Sequence, residues 1–508
     1  MKTKEVAEQI WFSQGIILSK PKQHMSKPNQ QNEEKDMTMP EFQTIVDQLE
    51  GSVAIEHGKA VIKDRVKLRK NIHKLAEISA LEKGALQGWA RYLTRLIALE
   101  VGLVPASIHD LYMARGRGEV PPTFTVPAMN LRALSFDAAR AVFRTALSMN
   151  AGAFIFEIAR SEIGYTDQRP SEYATSVLAA GIVEGYEGPV FIQGDHFQIS
   201  AKKYGADPDK EYNAVESLIK EAISAGFYNI DVDTSTLVDI SKTDLVEQQH
   251  LNTKLSASLT KYIRTLEPGG VTISIGGEIG EVGGKNSTEE ELRVYMDEYK
   301  RELRTLADYV GISKISIQTG TTHGGVVLPD GTIAQVSVDF DTLKRLSQIA
   351  RLEYGLAGAV QHGASTLPED AFGKFVENEA CEVHLATNFQ NMLFERLPEA
   401  LRKEMYAYLD ANYSSERKEG MTDEQFYYKT RKNVIGPFKV QTWNLPDSYK
   451  EEIGNAWTAQ FTKLFRLLGV ADTRKYVEQT VKAPKIQPNI KDYLGELVSQ
   501  EDVRDLAD

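Results

Sequence analysis

Between about Pro122 and Ala386, short apolar runs recur along the chain: Phe124–Pro127, Ala153–Ile158, Pro189–Gln193, Asn229–Val232, Val271–Ile275, Lys314–Thr319, Leu356–Gln361 and Cys381–Ala386. Runs of this length predict buried strands. The stretches between them, such as Glu216–Ala225, Glu289–Leu306 and Leu343–Leu352, carry apolar residues at three- and four-residue spacing and predict helices. Alternation of strand and helix implies parallel pairing, and eight such units close on themselves. The expected fold class is α/β, a (β/α)8 TIM barrel with helical N-terminal and C-terminal extensions.

The flanks have a different rhythm. Residues 1–38 read as a flexible segment, because Ser19 to Asp36 is polar and poor in apolar residues. Residues 39–118 read as helical, with periodic apolar positions from Ala60 to Ile78 and from Leu86 to Val101. The barrel is expected over 119–397. Residues 398–508 are charged and helical in pattern, interrupted at Gly436-Pro437 and near Ala483-Pro484.

Composition narrows the function classes. A hydrophobic fraction of 42% supports a full core, and no apolar run approaches the length of about 20 residues that a membrane helix needs. The single cysteine, Cys381, excludes an intramolecular disulfide framework and fits a reducing cytoplasm. A net charge of −12 argues against nucleic acid as a partner, since that needs a basic face. An acidic protein can still bind phosphate, but only locally.

Three of the nine histidines fall just past predicted strands, each in a string of small residues. His196 stands in Gln193-Gly194-Asp195-His196, His323 in Gly320-Thr321-Thr322-His323-Gly324, and His362 in Gln361-His362-Gly363-Ala364-Ser365. Barrel active sites lie at the C-terminal strand ends. Neutral imidazoles converging there from separate strands are a usual way to hold a catalytic zinc. One such histidine alone would more often be structural. Asp195 can reach the same pocket only if the strand frays at its end, because neighbouring strand residues point to opposite sides. Gly324-Gly325, Gly363-Ala364-Ser365 and Thr387-Asn388 supply small residues and hydroxyls suited to an anion cradle, where barrels often bind phosphate.

Over roughly residues 105 to 395 the chain resembles the class II, zinc-dependent fructose-bisphosphate and tagatose-bisphosphate aldolases. The matching pieces run in order: Asp195-His196, Ala225-Gly226-Phe227 leading to Asp233-Thr234-Ser235, Glu278-Ile279-Gly280 with Gly283-Gly284, Gly320 to Gly324, His362 to Ser365, and Thr387. The resemblance implies one zinc per chain on His196, His323 and His362. It implies Asp195 as the acid/base on the hydroxyl of a phosphorylated ketose, and Gly324, Gly363, Ser365 and Thr387 around its phosphate. It further implies release of a triose phosphate and assembly as a homodimer or larger oligomer. No Schiff-base lysine is needed. Lys314, nine residues before His323, is expected at the far end of the barrel.

The departures from that pattern are specific. Gln193 stands where the family usually has histidine, Gly276 where it has the first of two glutamates, and His384 where it has a substrate-contacting asparagine. The family's loop acid would fall near Lys285-Asn286, and neither is an acid. Glu281 is the nearest carboxylate on that loop and the candidate for proton exchange at carbon. Glu278 is its competitor, expected instead to face the metal as a neighbouring or alternative ligand.

A second resemblance points elsewhere. Phe156 to Ala159, Gly164-Tyr165-Thr166 and Pro170 to Tyr173 are similar to the non-catalytic subunit of tagatose-bisphosphate aldolase, which shares a Gly-Asp-His string. An active aldolase and a non-catalytic sugar-phosphate-binding or chaperone-like barrel are therefore both open. A scaffold built on the charged flanking helices is a third reading.

Overall fold

The computed structural model describes residues 40–280, 285–321 and 337–495. Eight parallel strands close into a barrel in the order β4 (Val126–Asn130), β5 (Ile155–Ala159), β6 (Gly188–Gln198), β7 (Asn229–Asp233), β8 (Ser274–Glu278), β9 (Lys314–Ile317), β10 (Ala359–Gln361) and β11 (Glu382–Leu385). The ring closes where His384 of β11 registers with Ala128 of β4. Each of the eight predicted runs overlaps a strand, by as little as two residues at β4 and β8. Their ends differ where polar residues interrupt the apolar pattern: β6 continues past Gln193 to Gln198, and β8 starts only at Ser274.

The stretch 39–118 is not purely helical. It carries a hairpin, β1 (Val53–Glu56) with β2 (Lys59–Ile62), and a further strand, β3 (Leu103–Ala106). Both turn residues of the hairpin have positive φ, His57 at 51° and Gly58 at 73°. That backbone twist matches the twist of paired strands. The predicted helix over Ala60–Ile78 is thus strand β2, then a helix at Arg65–Asn71 capped by the Asp64 carboxylate, then a second at His73–Leu81. Strand β3 pairs with the first residues of β6, and the Asn229 side chain ties it in by donating to the carbonyls of Ala106 and Ile192.

The helix His109–Gly116 seals the lower end of the barrel. Its buried Arg115 donates to the carbonyls of Phe124, Ala357, Glu379 and Ala380, and Tyr112 points its hydroxyl inward. On the outside, the long C-terminal helix Asp447–Leu467 packs on Ser135–Ser148, and the last described helix, Ile490–Leu494, reaches the N-terminal helix Ala85–Glu100. Among the described residues, no helix is long and apolar enough to cross a membrane.

Trp457 anchors that C-terminal helix: it is 1% exposed, and its Nε1 donates to the Phe389 carbonyl at 3.1 Å. Trp457→Ala is expected to destabilise the protein by about 3–5 kcal/mol, the usual range for emptying an aromatic site, measured by denaturant unfolding.

Candidate active site

The barrel mouth is shaped by an irregularity in β6. Gly194 registers with Ile230 of β7, but Phe197 registers with Val232, so β6 holds one extra residue over this step. His196 takes a left-handed φ of 41° inside the bulge. A bulge bends the strand and re-aims its side chains, and it brings both Asp195 and His196 toward the mouth. Fraying is not the cause, since β6 stays paired through Gln198 and Asp233. Gly194 makes the bulge possible: a Cβ there would lie 2.4 Å from the Phe197 ring.

His196, His362 and Glu278 converge at this mouth from β6, from the residue after β10, and from the end of β8. One ligand atom of each lies within 4.8 Å of the others. His196 Nδ1 is 2.8 Å from Glu278 Oε1 and 2.9 Å from Asp233 Oδ2, and the His196 and His362 rings are 4.4 Å apart. Glu278 is fully buried, and its Oε2 accepts no hydrogen bond among the described residues. Burial, and then the neighbouring Asp233, raise its pKa to about 7. A buried carboxylate held this way invites a cation, and two imidazoles with a carboxylate are donors that suit zinc. His323 lies outside the described residues, as do Gly324 and Glu281.

Asp195 sits between the two imidazoles, with Oδ1 3.9 Å from His196 Nε2 and 3.8 Å from His362 Nε2. Asn130 donates to its Oδ2 at 2.9 Å, and His384 Nδ1 lies 3.1 Å from its Oδ1. Burial alone would raise this carboxyl, but the imidazoles of His196 and His384 hold it well below the usual range.

Below the mouth the barrel interior is charged rather than aliphatic. Lys314 starts β9, but its side chain extends into the interior, not to the far end of the barrel. Its Nζ donates to Gln193 Oε1 at 2.8 Å, to Asp231 at 2.9 Å and to Glu382. Gln193 also donates to Glu157 and Glu382, and Tyr112 donates to Glu382. His384 lies within this layer, its Nε2 2.7 Å from Glu382 Oε1 and its Nδ1 3.3 Å from Glu157 Oε1. Burial opposes charge on that ring, but Glu157 and Asp195 hold its pKa well above the ordinary value. Glu157, Asp231, Glu382 and His384 also cluster closely enough to hold a metal. The ammonium of Lys314, bound to two of the four, already supplies a cation there.

Gly276 follows from this layer. It registers between Asp231 of β7 and Lys314 of β9, and a Cβ on it would fall 2.3 Å from Asp231 Oδ1 and 2.9 Å from Lys314 Cε. The residue that replaces the family's glutamate is the gap through which the ion pair closes. Gln193 fits the same layer, because its amide donates to one pair of carboxylates while its oxygen accepts from the ammonium. Asp231, Glu382 and Asn130 went unnoticed in the sequence. Their signal was a polar residue inside a buried parallel strand, a place normally filled by Val, Ile or Leu.

On the other side of the mouth, the loops after β10 and β11 meet. The Ser365 hydroxyl accepts from the Ala386 amide, next to Thr387 at the start of the helix Thr387–Arg396. Gly363 has φ 68° in the same loop. Ser365, Gly363 and Thr387 are therefore neighbours, whereas the His384 ring lies between Asp195 and Glu382 and against His362, close enough to Asp195 and His362 for the three to hold a metal. Lys285 and Asn286, at the family's loop-acid position, are paired with Glu291 and Asp339.

A closed parallel barrel with a histidine–carboxylate cluster at its C-terminal mouth defines a large class of barrel proteins. Within it, the sequence profile described as fructose-bisphosphate aldolase class-II matches residues 122–436, and the chain belongs to that family. No curated protein matches the chain in sequence. Among solved structures, it is similar to the native fructuronate-tagaturonate epimerase UxaE from Cohnella laeviribosi, at 12% identity and TM-score 0.53, covering 78% of this chain and 90% of that one. It is also similar to a fructose-bisphosphate aldolase from Campylobacter jejuni, at 16% identity and TM-score 0.42, covering 71% and 93%. The likeness to the epimerase shows a shared fold.

Breaking the ion network should be costly, because it leaves buried charge uncompensated. Lys314→Met, which takes the ammonium from Asp231 and Glu382 and leaves them only the His384 ring, is expected to cost about 3–5 kcal/mol in denaturant unfolding. The Glu382 carboxyl is lowered to about 2: burial opposes this, but the Lys314 ammonium and then His384 outweigh it. Its contribution is therefore complete above about pH 4.3, the ordinary glutamate value, and drains as the pH falls toward about 2. Glu382→Gln should lose that part of the acid dependence, measurable as a flatter unfolding free energy between those limits.

Proposed function

We propose that the chain is a metal-dependent aldolase that cleaves or forms a phosphorylated ketose through a triose-phosphate enediolate. The observation that carries this reading is the position of Asp195, a buried carboxylate less than 4 Å from two imidazoles of the candidate metal cluster. An acid/base group and a Lewis-acid site thus share one pocket.

His196 and His362 would hold a zinc ion together with His323, and Glu278 stands beside them as a neighbouring or fourth ligand. A divalent metal there supplies stabilisation of the negative charge that develops on the ketose oxygens. Asp195 takes the proton from the hydroxyl next to the bond that breaks. The O–H electron pair becomes the new aldehyde C=O, and the carbon–carbon pair passes to the ketone side as the enediolate. Glu281, three residues past Glu278 in the sequence, would return a proton to that carbon. Gly324, Gly363, Ser365 and Thr387 orient the phosphate, with backbone amides and hydroxyls suited to an anion. Lys314 takes no covalent part, because its ammonium is committed to Asp231 and Glu382 and its pKa is raised: burial opposes this, but those two carboxylates outweigh it.

Two outcomes test this. Purified protein should hold one zinc per chain by elemental analysis, and His362→Ala should lose most of it while keeping its thermal transition. Full occupancy in that variant would remove the metal assignment. Asp195→Asn should keep its metal yet cleave ketose phosphates about 100-fold more slowly, the scale of a lost acid/base group. Wild type that binds dihydroxyacetone phosphate, but neither cleaves ketoses nor exchanges its carbon proton with deuterated water, would favour the non-catalytic barrel instead.

A further inference from the structure

We propose that His384 is a positioning residue for Asp195, anchored through Glu382 on the buried ammonium of Lys314; this rests on the aldolase reading above.

Both ring nitrogens of His384 face carboxylates, Nδ1 toward Asp195 at 3.1 Å and Nε2 toward Glu382 at 2.7 Å, so the ring has one orientation that serves both. Asp195 is held in turn from two sides, by His384 at Oδ1 and by the Asn130 amide at Oδ2, which fixes the plane of its carboxylate. Glu382 is immobilised by Lys314 and Tyr112, whose donors come from β9 and from the helix that seals the barrel floor. A continuous line of hydrogen-bonded groups therefore runs from the rigid floor to the carboxylate at the mouth. Geometry of this kind matters because an acid/base group must meet its proton within hydrogen-bond reach.

The same line accounts for three departures from the family pattern. His384 replaces a residue expected to touch substrate, but it is buried beneath Asp195 and packed edge-on against His362, ring centroids 4.2 Å apart. Gly276 leaves room for Lys314 to meet Asp231, and Gln193 bonds Lys314, Glu382 and Glu157 at once. These changes act as one unit, which trades a substrate contact for a fixed support under the acid/base group.

Two near-isosteric variants separate the halves of the line. Asparagine places its amide near the Nδ1 position and can still donate to Asp195, whereas glutamine reaches toward Glu382 and gives up Asp195. With zinc-loaded full-length protein, His384→Gln should slow ketose cleavage about 30-fold or more, with KM changed by less than about threefold. His384→Asn, which keeps the donor to Asp195 but loses the anchor on Glu382, should fall between wild type and His384→Gln, about fivefold slower than wild type, and full wild-type cleavage in it would remove the anchor from the proposal. Exchange of the dihydroxyacetone phosphate carbon proton, which does not use Asp195, should be unchanged in both, as should one metal per chain. The double variant Asp195→Asn/His384→Gln should cleave no more slowly than Asp195→Asn alone, because residues acting as a unit are not additive. Equal losses in cleavage and exchange would make His384 merely structural, loss of metal would make it a ligand, and multiplied losses in the double variant would make it independent of Asp195. Each of these overturns the proposal. Wild type with neither cleavage nor exchange would instead overturn the aldolase reading, and the proposal with it.

Discussion

The ammonium of Lys314 is the constraint around which the barrel is built. Parallel barrels usually fill their interior with branched aliphatic side chains, but this one places Glu157, Asp231 and Glu382 there, all essentially without solvent exposure. Carboxylates so buried are tolerated only when paired and fully hydrogen-bonded. One lysine bonded to two of them, with Gln193 and Tyr112 taking up further valences of Glu382, pairs Asp231 and Glu382, while burial pushes the Glu157 carboxyl well above its ordinary range. Size at position 276, the amide at 193 and the ring at 384 all follow from keeping this charge satisfied.

The layer also explains why the mouth and the interior are not separate structures. In an aliphatic barrel, a polar active site sits on top of an inert plug. Here the polar region continues from Asp195 through His384 down to Tyr112 on the floor helix. Displacement of a group at the floor would therefore be felt as a change of hydrogen bonding at the mouth, with no large backbone movement needed.

The architecture was largely legible in the sequence, because eight apolar runs between helical segments leave few other solutions, and each run overlaps a strand. The hairpin Val53–Ile62 was missed, although His57-Gly58 marks its turn; the apolar residues of β2 fall at spacings that also fit a helix. At the mouth, the small-residue strings led to His196, His362 and Asp195, and the structure brings these together. What pattern could not show was the bulge in β6, since an extra residue leaves no periodic trace. The partners of Lys314 were equally hidden: Asp231 and Glu382 lie 83 and 68 residues away from it along the chain. Their meeting depends on barrel closure, a property of no local segment.

The bulge in β6 has a consequence for how such a barrel can evolve. Asp195 and His196 hang from adjacent backbone units inside one irregular step, so a shift of the strand carries both together. Deleting a residue there would restore regular pairing with β7 and send one of the two side chains to the outer face. Within β6, the carboxylate and the imidazole beside it can change only as a linked pair. Variation is therefore most accessible through the loops after β10 and β11, which can change while the paired groups on β6 stay in place.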